Sequence, residues 1–517
     1  MGAYRMRKKW ICTAVLVGVL ALAGCNNTTG NQGDETPMPT ETLATATPTP
    51  TPTPFVPEVL GVFQAEDAKL AGNVKVTKDY VEGFQKAETD SCTFTVTVEK
   101  EGFYDLIFRI ASNGGEKTNP VSVDGSAVGN IFTDQTFYQD SEINRVWFTL
   151  GNHDVSVGVS WGWILLDSLT VQTSEPLPAD LYEVEAKLIN PNATDEAKRL
   201  MSFLVDNYGE KILSGQYCDD GAFGKEMQVI QNVTGKQPAI LGMDMMDYTL
   251  VNQAHGASLN LPKKVQAYWD KGGIVALQWH WNTPEEYATK EWWGTFYTDS
   301  TTLNLKKIMN GQDQAGYDAL MKDIDAIAKP LLELQEAGIP ILFRPLHEAS
   351  GGWFWWGASG PEPYKELWIL LYDKLTNEYG LNNLIWVWNG QHADWYPGDE
   401  YVDIVGEDIY PGEKVYTSQI AKYLEVAEYS GERKMVYLTE CGCIFDPDLA
   451  VRDGAMWGMW ATWQGEFVRK ASGLKAQLSE QYTEEYMMKK AYDHEAVITL
   501  DEMPDLKTYP ISESFNK

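Results

Sequence analysis

Cysteine is scarce: six occur in 517 residues, and Cys12 and Cys25 belong to the amino-terminal segment. The remaining Cys92, Cys218, Cys441 and Cys443 are too few for a disulfide scaffold and lack the paired spacing of a zinc site, and their redox state stays open. Positive charge is also short. Lys+Arg total 41 against 73 Asp+Glu, a net charge of −32 that repels nucleic acid and anionic lipid and suits a neutral partner. Among His153, His255, His280, His347, His392 and His494 no pair has the one-helix spacing of a zinc protease, so no catalytic metal is expected. Residues 26–57 carry almost no apolar content. Their Thr-Pro repeats over 47–54 favour extended polyproline II, a stalk without a packed core.

The rest is rich in hydrophobic residues (44%) and aromatics (12%), with nineteen tryptophans, enough for one large and one smaller domain. At the amino terminus Arg5, Arg7, Lys8 and Lys9 precede an apolar run from Trp10 to Ala23, which reads as a signal peptide, not a span. It ends Leu22-Ala23-Gly24-Cys25, which resembles a bacterial lipobox. That resemblance implies cleavage before Cys25, a lipid on its sulfur and an extracellular, cell-surface lipoprotein whose one membrane contact is the anchor.

The expected organisation is a leader over 1–24, a Thr/Pro-rich linker over 25–57, a β-sandwich over 58–173, a linker over 174–190 and an α/β domain over 191–517. In the first domain, period-two alternation is plain in Thr93–Val98, Tyr104–Phe108 and Asp154–Val157, as in an all-β (jelly-roll) sandwich. Phe63-Gln64-Ala65-Glu66-Asp67-Ala68, Gly102-Phe103-Tyr104-Asp105-Leu106 and Leu166-Asp167-Ser168-Leu169-Thr170-Val171 resemble carbohydrate-binding modules of families 6 and 35. The resemblance implies a structural calcium shared by early and late acids, here Glu66 and Asp167; Gln64 stands where the family often has an acid. Trp161 and Trp163 flank a glycine before the last strand, where sugar stacking and core packing are both open. Trp161 is the candidate ligand residue.

From Pro191 onward, short apolar runs alternate with helical patterns, the order of a parallel α/β fold. Eight runs are countable: Ile212–Tyr217, Ala239–Asp244, Ile274–His280, Ile339–Glu348, Leu384–Asn389, Ile404–Tyr410, Met435–Glu440 and Gly458–Trp463. Eight such units close a (β/α)8 TIM barrel, whose sites lie at the carboxyl ends of its strands. Those ends carry His280, Glu348, Asn389, Asp408 with Tyr410, Glu440 and Trp463. Two glutamates ending the fourth and seventh runs put two carboxyls across one mouth, the arrangement that cleaves a glycosidic bond.

Arg344-Pro-Leu-His-Glu-Ala-Ser-Gly-Gly-Trp-Phe-Trp-Trp-Gly357, with Leu384-Ile-Trp-Val-Trp-Asn-Gly390, Gly406-Glu-Asp-Ile-Tyr-Pro-Gly412 and Leu438-Thr-Glu-Cys-Gly442, resembles glycoside hydrolase family 26. The resemblance implies a retaining endo-β-1,4-mannanase, with Glu348 as general acid/base and Glu440 as nucleophile. It also implies that His280, His347, Trp353, Asp408, Tyr410 and Trp463 line the sugar at the cleavage point. Glu348 must be protonated at working pH, and indoles around it supply the desolvation. Glu440 should stay ionised, with Arg344, itself also a candidate substrate-binding residue, as the nearest strand-end cation. Tyr410 could donate to the nucleophile and Asp408 orient a histidine, though both have ordinary hydrogen-bonding alternatives.

Residues 281–312 are long for a connection and carry Trp292, Trp293, Phe296 and Tyr297, a candidate wall of the cleft. No catalytic cofactor is expected, and a monomer acting on a mannan-class polysaccharide is the expected state. Mixed-linkage glucan or β-xylan are alternative polymers for the same carboxyl pair. A non-catalytic surface glycan-binding lipoprotein is a third reading, against which the intact Glu348 and Glu440 argue.

Overall fold

The computed structural model describes residues 55–160, 162–470 and 476–516. The leader, Cys25, most of the stalk and Trp161 lie outside the described residues. Residues 59–173 fold as two antiparallel sheets. One has the order Lys75–Thr77, Tyr80–Glu82, Ile164–Thr173, Gly102–Ser112, Gln139–Phe148, with Val59–Gln64 also paired to Ile164–Thr173. The other runs Lys69–Ala71, Ser91–Val98, Gly151–Val157, Lys117–Val123, Ser126–Thr133. The period-two pattern becomes a core: Phe94, Val96 and Val98 turn inward, as do Leu106, Phe108 and Ile110, while the residues between them face out.

The second domain is a closed barrel of eight parallel strands: β1 (Gly215–Tyr217), β2 (Ile240–Asp244), β3 (Ile274–Trp279), β4 (Ile341–Pro345), β5 (Leu384–Trp388), β6 (Ile404–Ile409), β7 (Val436–Cys441) and β8 (Trp460–Thr462). These strands are buried on both faces, which is why they read as continuous apolar runs. Small residues in some strands admit large rings from others; a Cβ at Gly242 would lie 2.5 Å from the buried Tyr217 ring. Helices such as Gln314–Glu336 and Pro361–Tyr372 pack outside. Trp279, Trp281, Trp368, Trp386, Trp388 and Trp460 are fully buried, each contributing roughly 2–3 kcal/mol of apolar burial.

Two runs differ from expectation. The first splits: Ile212–Leu213 pairs with Val497–Ile498 in a separate two-stranded sheet, and only Gly215–Tyr217 enters the barrel. Ser214 marks the break, its hydroxyl donating to the Ile498 carbonyl at 2.8 Å. The fourth stops at Pro345, three residues before Glu348, because proline has no N–H for the ladder and the chain then enters left-handed backbone at Leu346 (φ 53°) and Glu348 (φ 52°).

Residues 174–190 lie along the barrel. Tyr182 donates to the Gly454 carbonyl (2.5 Å) and Asp403 accepts the Ile189 N–H (2.8 Å). Module and barrel also touch where the Arg452 guanidinium lies over the Trp147 ring, 5.8 Å from its centroid.

Candidate active site

Glu348 is positioned by backbone. Its N–H donates to the Asn389 carbonyl at 2.7 Å and approaches Asn389 Oδ1 at 3.3 Å, so the end of β5 holds the turn after β4. The turn Ala349–Gly351 then reverses the chain through Gly352 (φ 70°), and Trp353 folds back until its Nε1 donates to Glu348 Oε2 at 2.9 Å. A Cβ at Gly351 would collide with that indole. Of the expected tryptophan cluster only Trp353, 46% exposed, faces the mouth. Trp355 and Trp356 are core, their Nε1 groups bonded to the carbonyls of Trp281 (2.6 Å) and His347 (2.8 Å).

Glu440, at the end of β7, is held from two sides. Arg344 donates to its Oε2 at 2.7 Å and Tyr410 donates to its Oε1. The same guanidinium donates to Asp408 Oδ2 at 2.6 Å and to Gln278 Oε1. Asp408 Oδ1 accepts from Asn389 Nδ2 (2.7 Å) and Thr439 Oγ1 (2.8 Å). Two expectations are thereby corrected. Asp408 orients no histidine; it holds Arg344, and Asp244 at the end of β2 holds His280, with Oδ2 2.5 Å from His280 Nδ1. Asp408 and Arg344, expected to line the sugar, have side chains 0% and 2% exposed, so they act from beneath through Glu440.

Around these groups His280 packs its ring against His347 (4.6 Å), Phe354 and Trp463 (6.0 Å), and Trp463 rests against Tyr217 at 5.0 Å. His347 is buried with no partner at Nδ1; burial, then the charges of Arg344 and His280, push its pKa well below the ordinary value, so it is neutral. Tyr410 is 43% exposed. Trp460, the neighbour of Trp463 in sequence, is core. Trp293 and Tyr297, both exposed, line a cavity of about 710 Å³ with Trp353, so residues 281–312 do wall one side.

One oxygen each from Glu348, Asp408 and Glu440 lies within 4.8 Å of the others, the sole cluster of three potential metal-ligating acids, histidines or cysteines among the described residues. Arg344 already pairs with two of the three. Burial, then the charges of Asp408 and Glu440, push Glu348 up to about 9. Burial and Asp408 also raise Glu440, to about 7, against the lowering influence of Arg344 and Tyr410. Arg344 thus limits the rise without reversing it, and the proton shared in this mouth rests on Glu348.

The module candidates sit elsewhere. Glu66 follows the first strand and has a buried Oε2 with no partner; Asp167 lies in a bulge of the last strand, accepting from Ser168 Oγ at 2.9 Å with Arg109 4.0 Å away. A cation there would need backbone carbonyls as well. Trp163, 54% exposed, lines a cavity of about 400 Å³ with Gln85, Asn113 and Lys117. Sequence reasoning gave no role to Asp244 and Gln278. Asp244 ends an apolar run as His280 does, and Gln278 is a lone amide inside one, so both signals were present.

Residues 189–492 match the model of glycosyl hydrolase family 26, and residues 59–174 that of carbohydrate binding module family 35. A mannan endo-1,4-beta-mannosidase of Thermothelomyces thermophilus is 37% identical over 453 residues, 85% of this chain and 90% of that protein. Mannan endo-1,4-beta-mannosidase B of a Piromyces species is 34% identical over 86% of this chain and 77% of its own length. Among solved structures, the Podospora anserina GH26-CBM35 beta-(1,4)-mannanase superposes with a TM-score of 0.62 at 34% identity, covering 87% of this chain and 99% of that one.

Arg344→Lys replaces a planar fork by a point charge that cannot reach Asp408, Glu440 and Gln278 together. The variant should lose about 1.5–3 kcal/mol of stability, the worth of one charged hydrogen bond. Because the guanidinium lowers the Glu440 pKa, that carboxyl should titrate at higher pH in ¹³C NMR of labelled glutamate. A downward or absent shift would contradict the clamp.

Proposed function

The chain belongs to glycosyl hydrolase family 26, carries a family 35 module ahead of the barrel, and is an endo-β-1,4-mannanase; on that premise we propose a double displacement in which Glu348 is the acid/base and Glu440 the nucleophile. The observation that carries the assignment is the placement of the two glutamates, with oxygens within 4.8 Å, in opposite surroundings. Carboxyls this close leave no room for an intervening water, so the carboxylate attacks carbon directly. Glu440, pinned by Arg344 and Tyr410 with a lone pair free, attacks the anomeric carbon and forms the glycosyl-enzyme. Glu348 delivers its proton to the departing glycosidic oxygen, and the Trp353 N–H steadies the carboxylate that remains. In the second step Glu348 takes a proton from water, which releases the sugar with its configuration retained.

The module holds the barrel near polymer through the Trp163 cavity, raising effective concentration without adding catalysis. Calcium at Glu66 and Asp167 is part of this reading, supported by the unpartnered buried Oε2 of Glu66. So is surface display through a lipid on Cys25, which rests on residues 5–25 alone.

Proton NMR of the first anomer released from a mannan oligosaccharide should show the β form; an inverted product would sink both role assignments. Glu348→Ala should slow polymer hydrolysis roughly 10²–10⁴-fold yet still form the glycosyl-enzyme from an activated aryl glycoside, with azide giving a β-product. Glu440→Ala rescued by azide should give the α-product, since the anion enters from the vacated face.

Trp163→Ala should leave turnover of soluble mannan unchanged and weaken action on insoluble mannan, whereas equal losses on both would assign the cavity to the barrel's own cleft. Chelation of calcium should lower the melting temperature of the whole chain, and an unmoved transition would remove Glu66 and Asp167 as ligands. Cys25→Ala should release the expressed protein to the medium or leave it unprocessed, and processed protein retained at the membrane as before would count against the anchor.

A further inference from the structure

Asp244 has no part in the bond-cleaving steps above, yet each of its oxygens holds His280. Oδ1 accepts the backbone N–H of His280 at 3.1 Å and that of Met246 at 2.8 Å, while Oδ2 lies 2.5 Å from His280 Nδ1 and accepts from Gln278 Nε2 at 3.0 Å. Main chain and ring of the same histidine are therefore gripped by a single carboxylate whose side chain is 5% exposed. Phe296, Phe354, His347 and Trp463 close around the ring. With Nδ1 spoken for, Nε2 is the nitrogen left over, and no protein hydrogen bond reaches it among the described residues.

We infer that Asp244 is a positioning residue of the hydrolysis: by holding Nδ1 of His280 it presents Nε2 to a hydroxyl of the sugar at the cleavage point. This rests on the proposed function, because it takes His280 to face the substrate. Gln278 extends the device. Its carbonyl accepts from Arg344 and its amide donates to Asp244, the one orientation that satisfies a cation on one side and an anion on the other. A neutral amide thereby joins the histidine to the arginine clamp under Glu440 without adding a charge, so nucleophile and histidine share one frame.

The charged groups facing His280 are Asp244 from β2, with Asp219 after β1 behind it (Asp244 N–H to Asp219 Oδ1, 3.0 Å), Glu440 from β7, Arg344 from β4 and the His347 ring. Burial lowers the ring's basicity, but Asp244 and Glu440 outweigh it and raise the His280 pKa above its ordinary value. Taking the charge from Asp244 must then move the His280 titration to lower pH.

The test is a double-mutant cycle on mannan-oligosaccharide hydrolysis with Asp244→Asn, His280→Ala and the pair, beside ¹⁵N NMR of the imidazoles. Asp244→Asn should lower kcat/KM roughly tenfold, the lower end of the losses seen when the carboxylate partner of a metal-bound histidine is removed. It should shift the His280 titration down and cost nothing further in the His280→Ala background. Additive losses, or an unmoved His280 titration, would overturn the inference. Should Asp244→Asn fail to fold, the unmodified protein still decides, because Nδ1 of His280 must carry the proton and an unprotonated Nδ1 refutes it. An unmodified protein that does not hydrolyse mannan would instead remove the proposed function.

Discussion

Arg344 brings one guanidinium, 2% exposed, between Asp408 and Glu440, and the chemistry of the whole mouth follows from that. A buried ion is costly alone, and removing one partner of a buried pair typically costs about 3–5 kcal/mol. Here one positive charge serves two carboxylates, so the local balance is already negative. A third carboxylate within 4.8 Å cannot ionise on the same terms, and Glu348, whose near partner is the neutral Trp353 indole, keeps its proton. Burial, then the negative charges of Asp408 and Glu440, makes Glu348 an acid, while the direct pairing with Arg344 leaves Glu440 able to attack. Two identical buried side chains acquire opposite roles because one cation bonds directly to only one of them.

Backbone strain puts the acid there. Leu346 and Glu348 both occupy left-handed backbone that a non-glycine residue adopts at a cost on the order of 1–3 kcal/mol. The strain is held by Pro345, which cannot continue the ladder, and by Asn389, whose carbonyl takes the Glu348 N–H. Asn389 does a second thing: its amide donates to Asp408, the acid that shares Arg344 with the nucleophile. One residue at the end of β5 thus fixes the main chain of the acid and the anionic neighbour of the nucleophile.

The barrel was legible in sequence because its strands are buried on both faces and its helices on one, so the two periods separate cleanly. Glu348, Glu440, Tyr410 and Trp463 could be picked out because each lies at or just beyond the carboxyl end of a strand, where barrel sites gather. What sequence could not rank was depth. Asp408 and Arg344 stand at strand ends too, but their side chains point down into the mouth, and only packing decides whether a strand-end residue meets sugar or supports one that does. The histidine expected beside Asp408 was misplaced for a related reason: Asp244 and Asp408 both end strands, and only packing shows that Asp244 turns toward the His280 ring while Asp408 turns toward Arg344. The break at Ser214 was illegible because Ile212–Leu213 and Gly215–Tyr217 have the same apolar texture while serving different sheets.

The tryptophans divide by what they touch. Trp279, Trp281, Trp355, Trp356, Trp386 and Trp388 are fully buried and serve the core, so a high tryptophan count by itself argues nothing about sugar. Trp353 is different, since one edge bonds the acid while nearly half of the residue stays exposed. An indole in that position couples two demands, holding Glu348 and offering a flat apolar surface to a sugar ring beside it. Exposed Trp293 and Tyr297 continue the apolar wall from Trp353. An apolar wall that begins at the indole bonded to the acid offers sugar rings a surface beyond the cleaved bond, so a chain held there presents an internal bond to the carboxyls.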